Sequence, residues 1–323
     1  MKLPSKVIER CLQLIALSAI SVLGLITFFI FREGAPLLAK VGLGKFLGGS
    51  VWSPSEGLFG ILPMIAGSAV VTIGALVIGL PLALACAIVL AELAPGKVRI
   101  VLKPTIELLA GIPSVVYGFM GVVLLVPWIR NHFGGSGSSV LAGSVILGIM
   151  ILPTIIGITI DALEAVPRSY REGARALGAT QWQTIRMVVL PAARSGIVAA
   201  VILGMGRAVG ETMAVIMVAG NAVQFPHSPL APVRTLTANI ALEMSYASGD
   251  HARALFATAI VLFVIIMVLN TLANLARSRR ALQLFSFRHR ILPARFVTPA
   301  VKNETELDAD DLAEQERHSR GEP

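Results

Sequence analysis

The sequence predicts an all-α polytopic membrane protein with six transmembrane helices. Three observations carry that expectation. The 323 residues are 55% hydrophobic and only 14% charged, with a mean hydropathy of +0.79, far from the balance of a soluble domain. Six stretches, roughly 11–31, 61–91, 104–129, 140–163, 195–220 and 254–276, have the length and apolarity that crossing a bilayer core demands. The basic residues are divided unequally between the two sides of those stretches. The N-terminal tail, 92–103, 164–194 and the C-terminal tail hold 3, 3, 5 and 9 Lys and Arg residues, 20 together. The opposite loops hold Arg32, Lys40, Lys45, Arg130, Arg234 and Arg253, and Arg207 alone falls inside a span. Without the long C-terminal tail the balance is still 11 against 6, so the positive-inside rule places both termini in the cytoplasm. Topology thus accounts for the net charge of +8, and no nucleic-acid partner is needed to explain it.

The first stretch follows Lys2, Lys6 and Arg10. Its apolar core is too long for a cleaved signal and no small-x-small site follows, so it reads as a retained signal anchor. Cys11 and Cys86 lie within or at the edge of apolar segments, which argues against a disulfide framework or a zinc site. Residues 32–60 form an outside loop rich in Gly and Pro, with Trp52-Ser-Pro54-Ser. It admits two readings, a partner surface or a re-entry loop with Trp52 as an interfacial anchor. The second stretch is long enough to tilt or bend, and Pro81 allows a kink. The third is interrupted by Leu109-Ala-Gly-Ile-Pro113-Ser-Val-Val-Tyr117-Gly118, a break tolerated where it lines a cavity or meets neighbouring helices. Gly134–Ser139 reads as a flexible connector. The third outside loop, 221–253, carries Pro226, Pro229 and Pro232 and then a short helix around Thr235–Tyr246. Glu107 and Asp161 fall near cytoplasmic span ends, where capping or interfacial exposure explains them. Residues 1–280 form the membrane domain and 281–323 a cytoplasmic tail. Its last part, 302–323, is acidic and polar and reads as disordered, with a regulatory docking role as the second reading. There is no internal repeat of 20–50 residues.

Between the fourth and fifth spans, residues 164–192 read as a compact, Arg-rich helical hairpin. Pro167 suits the first turn of a helix, and Gly178 is placed to close it in a left-handed conformation. Thr180-Gln-Trp-Gln183 matches a capping box opening a second helix, which leads to Leu190-Pro191. Ala174 and Gly178, four apart, are expected on one face that lets a partner backbone approach. Glu172 is expected to cap helix-terminal N–H groups or to pair with Arg171 or Arg175. The alternative is a plain basic cytosolic loop. This spacing of Glu, small residues, Gly and Leu-Pro favours docking.

In the fifth span, Gly204-Met-Gly206-Arg207-Ala-Val-Gly210-Glu211-Thr-Met-Ala-Val215 places two charges in apolar surroundings. A spacing of four puts Arg207 and Glu211 on one face of a continuous helix. Gly206 and Gly210, also four apart, are expected to pack against another helix. An Arg at the bilayer centre costs about 2.5–3.5 kcal/mol on insertion scales, so it faces the protein interior or a wet cavity. Two readings follow. In one, the pair only neutralises itself. In the other, Arg207 binds a substrate oxyanion while Glu211 holds the Arg or accepts from a protonated oxyanion.

The hairpin resembles the signature loop of importer-type ABC permeases: Glu-Ala-Ala, a Gly shortly after, then Ile-x-Leu-Pro. Here Glu172, Gly173, Ala174, Gly178, Val188, Leu190 and Pro191 fill those places, with Gly173 for the first Ala and Val188 for the Ile. Together with Gly111–Gly118 and Gly206–Val215, it resembles the PstC-type permease family of high-affinity phosphate importers, over residues 5–280. That resemblance implies the ABC importer permease fold and inorganic phosphate as cargo. It implies Arg207 and Glu211 in the translocation path. It also implies a heterodimer with a PstA-type permease, two copies of an ATP-binding subunit that the hairpin docks into, and a periplasmic or lipid-anchored phosphate-binding protein. The chain has no Gly-x-x-x-x-Gly-Lys-Ser/Thr loop, so ATP and Mg2+ are expected in the partner and no cofactor in this chain. The implied protein is a transport subunit of the bacterial inner membrane, not an enzyme. An importer for molybdate, sulfate or phosphonate would use the same Arg–Glu face. A proton-coupled secondary transporter using Glu211 would leave the hairpin unexplained. An intramembrane enzyme lacks a His, a metal-ligand cluster or a Ser–His or Ser–Lys pair at depth.

Overall fold

The computed structural model describes residues 5–291, with side chains over 9–271. The expected disordered stretch 302–323 lies outside the described residues. Helices α1 (Ser5–Val41) and α2 (Leu43–Gly48) lead into a small antiparallel pair, β1 (Trp52–Ser53) and β2 (Leu58–Phe59). Helix α3 (Leu62–Ile88) runs through Pro81 and ends in a π-helical turn, Val89–Leu93. Then come α4 (Gly96–Ala110), α5 (Ser114–Met120), a second π turn at Gly121–Leu125, and α6 (Val126–Phe133). Helix α7 (Val140–Glu164) is followed by α8 (Arg168–Ala176), α9 (Gln181–Thr184), a third π turn at Ile185–Val189, and α10 (Leu190–Gly210). Helices α11 (Met213–Val218), α12 (Leu236–Glu243) and α13 (Gly249–Ile291) complete the order.

Among the described residues, six helical runs are long and apolar enough to cross a bilayer: Glu9–Val41, Leu62–Leu93, Ser114–Phe133, Val140–Glu164, Gln181–Gly210 and Gly249–Thr271. The all-α, six-span expectation therefore holds, and three boundaries move. The first helix continues through the expected loop to Val41, because Leu37 is buried and Gly34 lies against Ala257 and Ile260 of α13. The third run starts at Ser114, not near 104. Pro113 disfavours helix at the residue before it and is itself extended, with ψ 139°, so α4 ends as a separate helix. One stripe of α4 carries Arg99, paired with Glu164, and Lys103, 3.7 Å from Asp161. The fifth run starts at Gln181 and stops at Gly210, not 195–220. The capping box fuses the hairpin to the span, and a π turn, Ile185–Val189, leads into Pro191, whose missing N–H interrupts the α-helical hydrogen-bond pattern there.

Helix α7 is the centre, packed on one side by α3 and on the other by α10. Leu147, Met150, Ile151 and Ile155 of α7 are buried there. In a bilayer, apolar burial gives helices little reason to associate, so close approach and interhelical hydrogen bonds decide the contact. A Cβ added at Gly79 would lie 2.7 Å from the Gly148 carbonyl oxygen, so only Gly permits this α3–α7 distance. Ser144 Oγ donates to the Val71 carbonyl across the same contact at 3.3 Å.

A buried polar cluster joins α12, the start of α13 and the β1–β2 hairpin. Glu243 accepts from Arg234 Nη1 at 2.6 Å, meets His251 Nε2 at 2.8 Å and accepts from Trp52 Nε1 at 2.8 Å. Trp52 also packs edge-on against Phe59 at 5.9 Å. Trp52 is thus partly buried and tied to Glu243 and Phe59 within the fold. The expected helix near Thr235–Tyr246 is present as α12, with Thr235 capping the Ala238 N–H. Removing one partner of a buried pair strands the other charge, at about 3–5 kcal/mol. Glu243→Ala is expected to lower the thermal unfolding midpoint in detergent sharply, while Glu56→Ala, on an exposed turn, leaves it in place. An unchanged midpoint for Glu243→Ala would refute the structural role.

Candidate docking hairpin and translocation path

The hairpin is built from local rules. Pro167 sits one position earlier than expected, as the N-cap of α8 with φ −55°. At the other end Gly178 has φ +83°, where only Gly is free of strain. Its N–H donates to the Arg175 carbonyl at 2.9 Å, and the Ala179 N–H donates to the Ala174 carbonyl at 3.1 Å. That pairing is a Schellman turn, which satisfies the last carbonyls of α8. The reciprocal capping box of Thr180 and Gln183 then opens α9. Because α8 ends at Ala176, Ala174 and Gly178 do not share a helical face as expected, but are joined through this turn. Gly173 and Gly178 both face open space, and Tyr170, Leu177 and Trp182 are exposed, Leu177 by 91%. Leu190 turns inward onto the cluster of Leu163, Val166 and Val189, whereas Pro191 is exposed.

Glu172 is exposed and has no hydrogen-bond or ion-pair partner among the described residues. The expected Arg171–Glu172 pair does not form, because Arg171 turns the other way. Its Nη2 lies 2.6 Å from Glu92 Oε1, and its Nε lies 3.2 Å from Glu92 Oε2. Nη1 and Nη2 also donate to the carbonyls of Val166 and Leu163, at 2.7 and 2.8 Å, where α7 ends. Gln181 Nε2 donates to the Glu92 carbonyl at 3.0 Å. The sequence offered one sign of this contact, a lone acid closing the apolar second stretch.

Around Arg207 the structure corrects the ion-pair expectation. Helix α10 ends at Gly210, and Glu211 is extended with ψ 131°. The two residues therefore do not lie on one helix face, and no salt bridge joins them. Glu211 Oε1 instead accepts from the Ala214 N–H at 3.2 Å, capping α11. The Glu211 carbonyl accepts from Thr237 Oγ1 of α12 at 2.9 Å. Arg207 is exposed in the last turn of α10, where the helix C-terminus favours a cation. It has no ion-pair or hydrogen-bond partner among the described residues. Gly206 and Gly210 touch nothing within 4 Å of an added Cβ, so the expected packing on that face is absent within this chain. Gly204 takes that role instead: a Cβ added there would lie 2.7 Å from Ile155 Cγ1 of α7.

The break in the third span supports the same region. Tyr117 Oη donates to the Leu109 carbonyl at 2.9 Å, satisfying a group freed at the break. A Cβ at Gly118 would meet Ala214 Cα at 2.9 Å, so α11 rests directly on α5. The helix that follows the break in the third span thus packs on the short helix that follows the break after Gly210.

The family model described as "Binding-protein-dependent transport system inner membrane component" matches residues 79–281. The probable ABC transporter permease protein YqgH of Bacillus subtilis (strain 168) is 45% identical over 263 residues, covering 79% of this chain and 85% of that protein. The phosphate transport system permease protein PstC of Mesorhizobium japonicum is 36% identical over 280 residues, covering 80% of this chain and 85% of that protein. Among solved structures, a bacterial alginate ABC transporter, in complex with an alginate pentasaccharide-bound periplasmic protein, has a similar fold. The TM-score is 0.54 at 17% identity, covering 85% of this chain and 96% of that one.

Proposed function

This chain belongs to the family of binding-protein-dependent transport system inner membrane components and is a membrane-embedded ABC importer permease subunit, and we propose that its cargo is inorganic phosphate. The observation that carries the proposal is Arg207, a cation without a partner among the described residues, at a helix break in the segment Gly206–Val215 that resembles phosphate permeases. The relative named PstC supports the same cargo. The family places an energy-supplying ATPase and a substrate-binding protein beside the permease. The proposal extends this to a heterodimer with a PstA-type permease, two ATP-binding subunits holding ATP and Mg2+, and a phosphate-binding protein that delivers the anion. Both termini and the hairpin face the cytoplasm, where the basic loops gather.

Arg207 offers the anion a cationic way-station that replaces water, with binding weak enough to permit release. Glu211, held by Ala214 and Thr237, fixes the break that exposes the Arg207 turn. The docking hairpin carries closure of the ATPase to the spans as a rigid-body movement. In this reading Glu172, Gly173, Ala174, Gly178, Leu190 and Pro191 serve coupling, while Arg207 and Glu211 serve passage. Membership of the ABC family removes the proton-coupled secondary carrier as a reading. The runner-up is another oxyanion, since the relative at 45% identity is named only as a probable ABC permease.

Competition in proteoliposomes decides between them. Uptake of labelled phosphate by the assembled complex is expected to require ATP and to be blocked by excess phosphate, but not by molybdate, sulfate or a phosphonate. Equal blocking by one of those anions, or labelled uptake of it in place of phosphate, would overturn the phosphate reading.

A further inference from the structure

We infer that the Glu92–Arg171 contact is a coupling latch: it makes the hairpin and the end of the second span one mechanical body, so that movement of the docked hairpin is transmitted to α3. The inference rests on the reading of residues 164–192 as the ATPase-docking element. It adds a route by which that element drives the membrane helices.

Four features set this contact apart. First, it is sheltered: the side chains of Arg171 and Glu92 are 18% and 10% exposed. Arg168 and Arg175 of the same helix stand in the open. Second, Arg171 serves three elements at once. Its fork engages both carboxylate oxygens of Glu92, and the same guanidinium holds the Leu163 and Val166 carbonyls at the end of α7. A planar, five-donor group does this and an ammonium does not. Third, the second helix of the hairpin is tied to the same residue, through Gln181 and the Glu92 carbonyl. Fourth, Glu92 lies in the π turn Val89–Leu93 that ends α3. Such turns are single-turn irregularities that frequently mark functional positions. The result is asymmetric. One face of the hairpin, with Tyr170, Leu177 and Trp182, is left open, while the opposite face is latched to two spans. A load applied to the open face then passes to α3 and α7 without first bending α8.

Arg171 and Glu92 touch neither cargo nor nucleotide in this reading and are positioning residues. The test therefore needs a readout that simple stability would not move. Spin labels are placed at Leu93→Cys and Arg175→Cys, both exposed positions, with Cys11 and Cys86 replaced by Ser. The parent complex is expected to give one narrow distance distribution that stays the same with and without ATP. Glu92→Gln and Arg171→Lys are expected to broaden it, because one loses the charge and the other the fork. In unlabelled complexes the same two variants are expected to retain the ATPase on purification and to hydrolyse ATP. Their phosphate uptake per ATP hydrolysed should fall roughly tenfold, within the range for residues that carry coupling. An equally narrow distribution in both variants would overturn the latch, as would unchanged uptake per ATP. So would loss of the ATPase from both variants, which would make the pair a folding contact only. A parent complex that hydrolyses ATP but moves another anion would overturn the phosphate reading alone, since the label distances and the transport of that anion per ATP still test the latch.

Discussion

Phosphate uptake should fall roughly 10- to 150-fold in Arg207→Gln, the range lost with one charge-assisted hydrogen bond of about 1.5–3 kcal/mol. The assembled complex should remain intact. Glutamine keeps hydrogen-bonding capacity at the end of α10 but removes the cation, and Arg207 has no partner among the described residues that its loss would strand. A stability defect is therefore not expected, and size-exclusion profiles with co-purified subunits check this. Glu211→Gln should be milder. Its amide oxygen can still accept from the Ala214 N–H, and the Thr237 bond is to the backbone carbonyl. The double variant Arg207→Gln/Glu211→Gln should stay as inactive as Arg207→Gln alone. If the two charges served only to neutralise each other, the double variant would transport like the parent. Recovery of parental uptake, at matched expression, would sink the transport role of Arg207.

The second large effect is expected at Gly178. A residue with a Cβ in the left-handed region costs about 1–2 kcal/mol, and a β-branched one more. Gly178→Ile is expected to open the Schellman turn, release the Arg175 and Ala174 carbonyls and reorient Leu177. Loss of the ATPase on purification, or ATP hydrolysis without uptake, should follow, while membrane insertion is retained. Gly178→Asn separates conformation from bulk. Asparagine tolerates φ +83° and has open space around its Cβ within this chain, so the turn itself survives. If a partner backbone comes close to Gly178, Asn will still weaken docking. Normal co-purification together with normal uptake in both variants would refute the docking role.

Several features of this molecule follow from residues that lie close together in the chain. Six apolar runs needed only hydropathy, because a bilayer asks each helix separately to be long and apolar. The hairpin's turn and capping box also depend on near neighbours: a Gly two positions beyond α8, and a Thr and Gln three apart. The resemblance to importer permeases rests on those same residues, and the family match over residues 79–281 bears out the class. What the sequence could not decide was where long-range contacts override a local pattern. An i,i+4 spacing pairs Arg207 with Glu211 only if the helix continues. The helix stops at Gly210, and Thr237 of the distant α12 and the Ala214 N–H take the groups of Glu211. Arg171 had an acidic neighbour in sequence, yet its carboxylate partner is 79 positions away. Nothing near Trp52 in the chain revealed its hydrogen-bond partner Glu243, 191 positions on. Each of these partners is chosen by burial, where an unpaired polar group is costly and the nearest group in space takes it. Local sequence set the helices, their caps and the hairpin turn; tertiary packing alone decided which charge has no partner among the described residues, which is paired across elements and which is buried.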